Sequence, residues 1–231
     1  MTSIAANLKV IRDRIHSACS RSGRDPSSVC LIAVTKTVPA HIVRAGVEAG
    51  LNVLGENYVQ EARAKMEQLS DLPVSWHFIG HLQSNKARLA VESFEWIHTL
   101  DRASLARELD RQAHRQGRRV PVLLEINVGD EGSKSGIPAR EARSLFDLAS
   151  SLDGIAVRGL MALPPYEEEP EAVRPYFRRM RELLGELRQA APRPEELSEL
   201  SMGMSHDFEV AIEEGATMIR VGTALFGPRL T

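Results

Sequence analysis

The chain alternates between short apolar runs and longer stretches in which apolar residues recur every three or four positions. The short runs are rich in β-branched residues and predict buried strands, whereas the periodic stretches predict amphipathic helices. A helical stretch over residues 3–20 precedes the first strand. The predicted strands cover residues 29–35, 51–55, 75–79, 96–99, 120–128, 155–161, 197–202 and 218–221.

This alternation predicts the fold class. Strands separated by helices form parallel βαβ units. Eight such units in 231 residues fit a closed (β/α)₈ TIM barrel better than an open doubly wound sheet, which stays the alternative. Because no linker or change in composition divides the sequence, we expect a single domain over residues 1–231, with an extra helix at its N-terminus.

Composition and charge exclude several classes of function. The formal net charge of −2 argues against a nucleic-acid partner, because such binding needs a basic surface. No apolar run reaches membrane length, and the N-terminus lacks the apolar core of a signal peptide. Cys19 and Cys30 are too few for a disulfide framework, and the histidines show no metal-ligand spacing. We therefore expect a cytoplasmic protein with no nucleic-acid or membrane partner and no metal.

A lysine ends the first predicted strand. Lys36 follows the buried run 31–35, an unusual place for an ammonium group that is costly to bury. Its position alone leaves two interpretations open. The side chain extends into solvent, or partial burial favours the neutral amine, which is the form that attacks a carbonyl to give a Schiff base.

Two polar stretches follow the seventh and eighth strands, over residues 201–205 and 221–223. Ser205 lies at or near the start of a helix, where free backbone N–H groups and a hydroxyl can bind an anion. Gly222 would let a ligand approach the backbone, and Thr223 adds a second hydroxyl. An ordinary serine cap explains the first stretch taken alone. Because barrels of this kind often hold phosphate at these two loops, the pair predicts a phosphate site.

A phosphate pocket opposite a strand-end lysine suggests pyridoxal 5′-phosphate (PLP), held by Lys36 as a Schiff base. The alternative is a phosphate-bearing substrate that Lys36 contacts only as a charge. Arg220 also lies at the end of the eighth strand. Its side chain would offer a fixed cation if it faces the barrel mouth, and a surface ion pair if it faces outward.

Seven stretches of the chain are distinctive as motifs: LIAVTK (31–36), GENYVQE (55–61), WHFIGHLQSNK (76–86), GSKSGI (132–137), GLMALP (159–164), LSMGMSHD (200–207) and RVGTALFG (220–227). In this order, across nearly the whole chain, they resemble the pyridoxal-phosphate homeostasis protein family, the small single-domain relatives of the barrel domain of alanine racemase. WHFIGHLQSNK and LSMGMS are the most specific of them.

The resemblance implies an alanine racemase N-terminal type of barrel with PLP as cofactor and Lys36 as the Schiff-base lysine. It places Asn57 beside the cofactor ring, Arg220 near the pyridine nitrogen and Lys134 on a loop near the site. The residues that it implies for the phosphate are Ser205, Gly222 and Thr223, with Met204 nearby.

Two positions depart from the family's pattern. Val38 stands where many relatives carry a second lysine, so the resemblance carries over no role for that lysine in transferring the cofactor. His206 stands where relatives often carry Asp or a small residue, and the sequence assigns it no role.

The resemblance implies a protein that stores, buffers or delivers PLP without strong catalysis, with PLP-dependent apo-enzymes as candidate partners. An arginine at the pyridine nitrogen would leave the ring a weaker electron sink. A PLP-dependent amino-acid racemase is the alternative, with His81 or Tyr58 as one general base. A phosphosugar isomerase is a third hypothesis, although no paired acid and base is evident. We expect a monomer or weak dimer.

Overall fold

The computed structural model describes residues 3–132 and 134–228 and contains every predicted strand. The strands are β1 Cys30–Val34, β2 Val53–Glu56, β3 Ser75–Phe78, β4 Trp96–Leu100, β5 Val120–Asn127, β6 Ile137–Pro138, β7 Ile155–Ala162, β8 Glu199–Ser201 and β9 Met218–Val221. The α-helices are α1 Ile4–Arg21, α2 Ala40–Glu48, α3 Val59–Gln68, α4 Ala87–Ser93, α5 Ala103–Arg115, α6 Ala142–Ser150, α7 Arg174–Ala190, α8 Phe208–Glu213 and α9 Thr223–Phe226.

The strands close into a parallel barrel. Their order is β4-β3-β2-β1-β9-β8-β7-β5, and β4 also pairs with β5, which closes the ring. The two-residue strand β6 pairs with the end of β5 and is not part of the ring. The predicted (β/α)₈ barrel is confirmed, because the pairing of β4 with β5 is incompatible with an open sheet. A single domain over residues 1–231 stays a prediction.

The N-terminal helix α1 is part of the barrel's outer layer. It packs against α8 and α9, where the amide of Asn7 donates to the carbonyl oxygen of Leu225 at 2.9 Å and Arg14 lies over the Phe208 ring at 4.4 Å. Because α9 is only four residues long, α1 covers the surface that a full-length last helix would cover. The buried residues of α1 are Leu8, Ile11, Ile15, Ala18 and Cys19.

Side chains alternate along each strand between the barrel interior and the surrounding helices. A separate apolar cluster joins Ile32, Leu123, Met161 and Met218 from four strands. Two residues farther along β5 and β9, on the same faces, the buried side chains are Glu125 and Arg220. Along β5 and β9, the interior therefore changes from apolar to polar toward the carboxyl ends, where barrels of this type carry their sites.

The structure also bears on membranes and metals. None of the described helices is long and apolar enough to cross a bilayer. Over residues 3–132 and 134–228, no group of three or more His, Cys, Asp and Glu side chains is arranged to hold a metal ion.

Candidate functional site

Lys36 lies in the turn between β1 and α2 and is half-buried. By alternation it falls on the same face of the chain as Ile32, which belongs to the barrel interior. Strand β1 pairs directly with β9, with Ala33 opposite Val221. Lys36 and the loop after β9 are thus neighbours at the barrel mouth. The expectation that the phosphate pocket lies opposite the lysine is wrong, because ring closure brings the first and last strands together.

The three residues predicted to bind phosphate converge at this junction. The hydroxyl of Thr223 donates to the Ser205 hydroxyl at 3.2 Å, and the backbone N–H of Ala224 approaches the same oxygen at 3.4 Å. A Cβ atom built on Gly222 would lie 3.4 Å from the Cβ of Val34. The backbone after β9 therefore passes close to β1, two residues before Lys36, with two hydroxyls beside it.

Ser205 lies near a helix start but does not cap it. Helix α8 begins at Phe208, and its N-cap is Asp207, whose carboxylate accepts from the backbone N–H of Met204 at 2.6 Å. Met204 itself is half-buried. Because Asp207 holds this turn, the hydroxyl of Ser205 remains directed to α9 and the predicted phosphate site.

Arg220 faces the barrel interior and is only 4% exposed, which decides between its two predicted orientations. Its guanidinium donates to the Ser201 hydroxyl at 2.7 Å and to the carbonyl oxygen of Ala162 at 2.8 Å. Burial lowers the pKa of Arg220 to about 10, so the side chain remains a cation at neutral pH. The protein thus holds a fixed positive charge below the mouth.

Two buried histidines extend this hydrogen-bonded chain across the interior. His98 Nδ1 lies 2.9 Å from the Ser201 hydroxyl, and His77 Nδ1 lies 3.0 Å from His98 Nε2. Burial lowers the pKa of His77 to about 4 and that of His98 well below its usual range. Both imidazoles are therefore neutral and add no charge beside Arg220. The sequence interpretation did not assign these histidines to the site, although their alternation along β3 and β4 placed them on inward faces.

Glu125 is a second buried ionisable group inside the barrel. It is 3% exposed, and within the described chain its Oε2 atom has no hydrogen-bond partner. Burial, and secondarily the negative charge of Asp101, raise the pKa of Glu125 to about 7, while Arg220 opposes this shift. Glu125 therefore titrates near neutral pH.

We expect Glu125 to contribute a loss of stability as pH rises from 4.5 to about 7, because the unfolded chain releases the Glu125 proton at lower pH than the native protein. Glu125→Gln removes this titration. The free energy of unfolding of the variant, measured with urea and taken relative to wild type, should increase by about 2 to 3 kcal/mol from pH 5 to pH 8. Equal pH dependence in both proteins would show that Glu125 ionises normally. Glu67→Gln, on the exposed side of α3, is the control.

Asn57 follows β2 and presents an unused acceptor. Its Oδ1 atom is buried and has no partner among the residues that the structure describes. A Cβ atom at Gly80 would lie 2.3 Å from the Asn57 carbonyl oxygen, so only glycine lets the chain after β3 pack here. A cleft of about 470 Å³ adjoins Asn57, and Tyr58, His81 and Lys86 also line it.

The loop over residues 163–170 is tied to its neighbours by Lys134 and His206. The ammonium of Lys134 donates to the Pro164 carbonyl at 2.8 Å and pairs with Glu131. His206 hydrogen-bonds the carbonyl of Glu168 at 2.9 Å, and its ring lies 5.6 Å from that of Tyr166. Although His206 adjoins Ser205 in sequence, its ring contacts this loop.

These residues fit PLP. The half-buried amine of Lys36 adjoins the loop after β9, where the hydroxyls of Ser205 and Thr223 suit a phosphate. The buried cation of Arg220 and the amide oxygen of Asn57 suit polar atoms of an aromatic ring.

Comparison with known proteins agrees with this arrangement. The family model described as alanine racemase, N-terminal domain, matches residues 2–229. A curated relative from Aquifex aeolicus, named pyridoxal phosphate homeostasis protein, is 47% identical, and the match covers 96% of each chain. The chain belongs to the pyridoxal phosphate homeostasis protein family. The resemblance inferred from the sequence motifs is confirmed.

Two solved structures are similar to this chain in sequence and in fold. PipY of Synechococcus elongatus, determined with PLP bound, is 44% identical with a TM-score of 0.82 and covers 94% of this chain and all of its own. An unknown protein from Bifidobacterium adolescentis is 35% identical with a TM-score of 0.90, and the match covers 96% of this chain and 94% of its own.

In this family member, Val38 is half-buried and packs against the main hydrophobic core. The position therefore contributes to packing, and a second amine two residues after Lys36 is absent from the sequence.

Proposed function

We propose that the protein binds PLP and acts in PLP homeostasis by storing, buffering or delivering the cofactor. The observation that carries this proposal is the position of half-buried Lys36 in the turn after β1, beside the Ser205–Thr223 hydroxyl pair next to β9. The identity to PipY, whose structure was determined with PLP bound, supports it.

When bound, PLP supplies an aldehyde carbon that can take a primary amine as a Schiff base. Lys36 provides that amine. Ser205, Thr223 and the backbone at Gly222 bind the phosphate, with Met204 beside them. Asn57 and Arg220 orient the ring through hydrogen bonds.

The second proposal is that the protein does not strongly catalyse reactions on the cofactor. Arg220 is a cation whose guanidinium is already anchored by Ser201 and Ala162. Placed at the pyridine nitrogen, it disfavours protonation of that nitrogen and weakens the ring as an electron sink. Reversible holding of PLP, followed by transfer to PLP-dependent apo-enzymes, needs no such sink. We propose that the protein does this as a monomer or weak dimer.

Mass spectrometry after borohydride reduction tests the first proposal. Wild-type protein incubated with saturating PLP should carry a reduced pyridoxyl-phosphate group on Lys36. A group on another lysine would overturn the assigned site, and no group at all would overturn PLP binding through a Schiff base.

Incubation of the loaded protein with L-alanine in deuterium oxide tests the second proposal. Deuterium entering the α-position at turnover rates would favour the racemase alternative.

The phosphate site can be tested by comparing PLP with pyridoxal, which lacks the phosphate. Ser205→Ala and Thr223→Val should each weaken PLP binding about tenfold, because each removes a hydrogen bond to a charged group. In equilibrium titrations with pyridoxal, the dissociation constant of each variant should differ from that of wild type by less than about twofold. The reason is that one hydroxyl contributes little to binding a neutral ligand. If both ligands weaken equally, these hydroxyls support the fold and do not bind phosphate.

A further inference from the structure

A buried ammonium lies beneath the turn that carries Lys36. Lys65 projects from α3, and its side chain is 6% exposed. Its Nζ atom donates to the Thr35 carbonyl at 2.6 Å, to Glu56 Oε1 at 2.5 Å and to Glu61 Oε1 at 3.2 Å. An ammonium has three donors, and all three are used here. Removing these charges from water is costly, so a buried ion pair is by itself weak evidence that the pair stabilises the fold.

The partners of Lys65 lie on both sides of Lys36. The Thr35 carbonyl belongs to the peptide that enters Lys36. The peptide that leaves Lys36 is held by Glu61, whose Oε1 atom accepts from the backbone N–H of Thr37 at 2.6 Å. Lys65 and Glu61, four residues apart on one helix, therefore fix the backbone immediately before and after Lys36.

The backbone at this turn needs such support. Thr37 has a φ of 62°, a left-handed conformation that is unfavourable for a β-branched residue. The support itself rests on regular elements. Glu56 ends β2, is fully buried and accepts from the Thr35 hydroxyl at 2.7 Å. Strands β1 and β2 and helix α3 are thus joined around the turn.

We propose that Lys65 and Glu61 are positioning residues that fix the backbone of Lys36 and thereby set how firmly the protein holds PLP. This inference rests on the proposed function. In the binding step, the neutral amine of Lys36 forms a C=N bond to the aldehyde carbon and one water leaves, with no oxidant or reductant. The long lysine stem is flexible. A fixed Cα keeps the amine near the phosphate loop of β9, which raises its effective concentration at the aldehyde.

Glu61 offers the cleaner test, because its side chain is 32% exposed and its loss leaves the buried pair of Lys65 and Glu56 intact. Glu61→Ala removes the acceptor for the Thr37 N–H, whereas Glu61→Gln keeps an amide oxygen that can accept. Glu67→Ala makes the same change at an exposed position of α3. Two quantities are measured: hydrogen–deuterium exchange of the peptide containing Thr37 without PLP, and the dissociation rate of PLP into a trapping amine.

We expect Glu61→Ala to raise the exchange rate at Thr37 and the PLP dissociation rate, each about tenfold, as for one lost hydrogen bond to a charged group. Glu61→Gln should recover most of both effects, and Glu67→Ala should match wild type. Wild-type values for Glu61→Ala, or equal changes in Glu67→Ala, would overturn the positioning role while PLP binding stands. Wild-type protein that gains no group on Lys36 would overturn the proposed function, and this inference with it.

Discussion

Lys36→Ala is expected to abolish the borohydride-stable attachment of PLP and the absorbance change that accompanies its binding. The chain contains only five lysines, which are Lys9, Lys36, Lys65, Lys86 and Lys134. Of these, Lys36 alone lies in the turn directly after β1, which pairs with β9 and its phosphate loop. The variant should still bind PLP weakly through its phosphate, so the bound cofactor should wash out during gel filtration while wild type retains it.

Three of the other lysines are not equivalent substitutes. The ammonium of Lys65 is buried and fully hydrogen-bonded, and that of Lys9 lies on α1 and pairs with Asp13 at 2.7 Å. Lys134 pairs with Glu131. Lys9→Ala and Lys134→Ala are therefore matched controls, and both should retain the reduced group on Lys36. A reduced group of equal yield in Lys36→Ala would contradict the assignment of the amine.

The barrel was predictable because its information is local. Each strand is a short apolar run and each helix has an apolar face, so the order of elements follows from periodicity alone. The position of Lys36 relative to the phosphate loop could not be predicted from local sequence. It depends on the pairing of β1 with β9, which joins segments nearly 190 residues apart, and the sequence interpretation placed the two on opposite sides.

The polar residues behind the site were harder to predict for a different reason. Periodicity assigns a charged residue such as Lys65 to the solvent face of its helix, yet here Lys65 is 5% exposed. Its burial depends on Glu56 and the Thr35 carbonyl, which come from other elements. Likewise, His98 becomes part of the Arg220 network only through Ser201 of β8. Such partners are defined by tertiary contacts and leave no periodic signal.

Breaking the buried pair of Lys65 and Glu56 should have the largest effect on stability that we expect in this molecule. Lys65→Met should destabilise the protein by about 3 to 5 kcal/mol at pH 8, because it leaves the Glu56 carboxylate buried without a cation. Burial already raises the pKa of Glu56, and Lys65 opposes that shift. Without Lys65, the folded-state pKa rises further above its unfolded value. In Lys65→Met, Glu56 can stay buried as the neutral acid at low pH, whereas at higher pH its ionisation destabilises the folded protein. The loss of stability relative to wild type should therefore be smaller at pH 5 than at pH 8.

Urea unfolding of wild type, Lys65→Met and the double variant Glu56→Gln/Lys65→Met separates charge burial from packing. If the uncompensated carboxylate causes the defect, the double variant should recover much of the lost stability at pH 8 and show little dependence on pH. Lys9→Met removes an ammonium that is 77% exposed, and it should change stability by less than about 0.5 kcal/mol. A Lys65→Met protein within about 1 kcal/mol of wild type at pH 8 would mean that Glu56 is buried as the neutral acid, because only a charged carboxylate depends strongly on its cation.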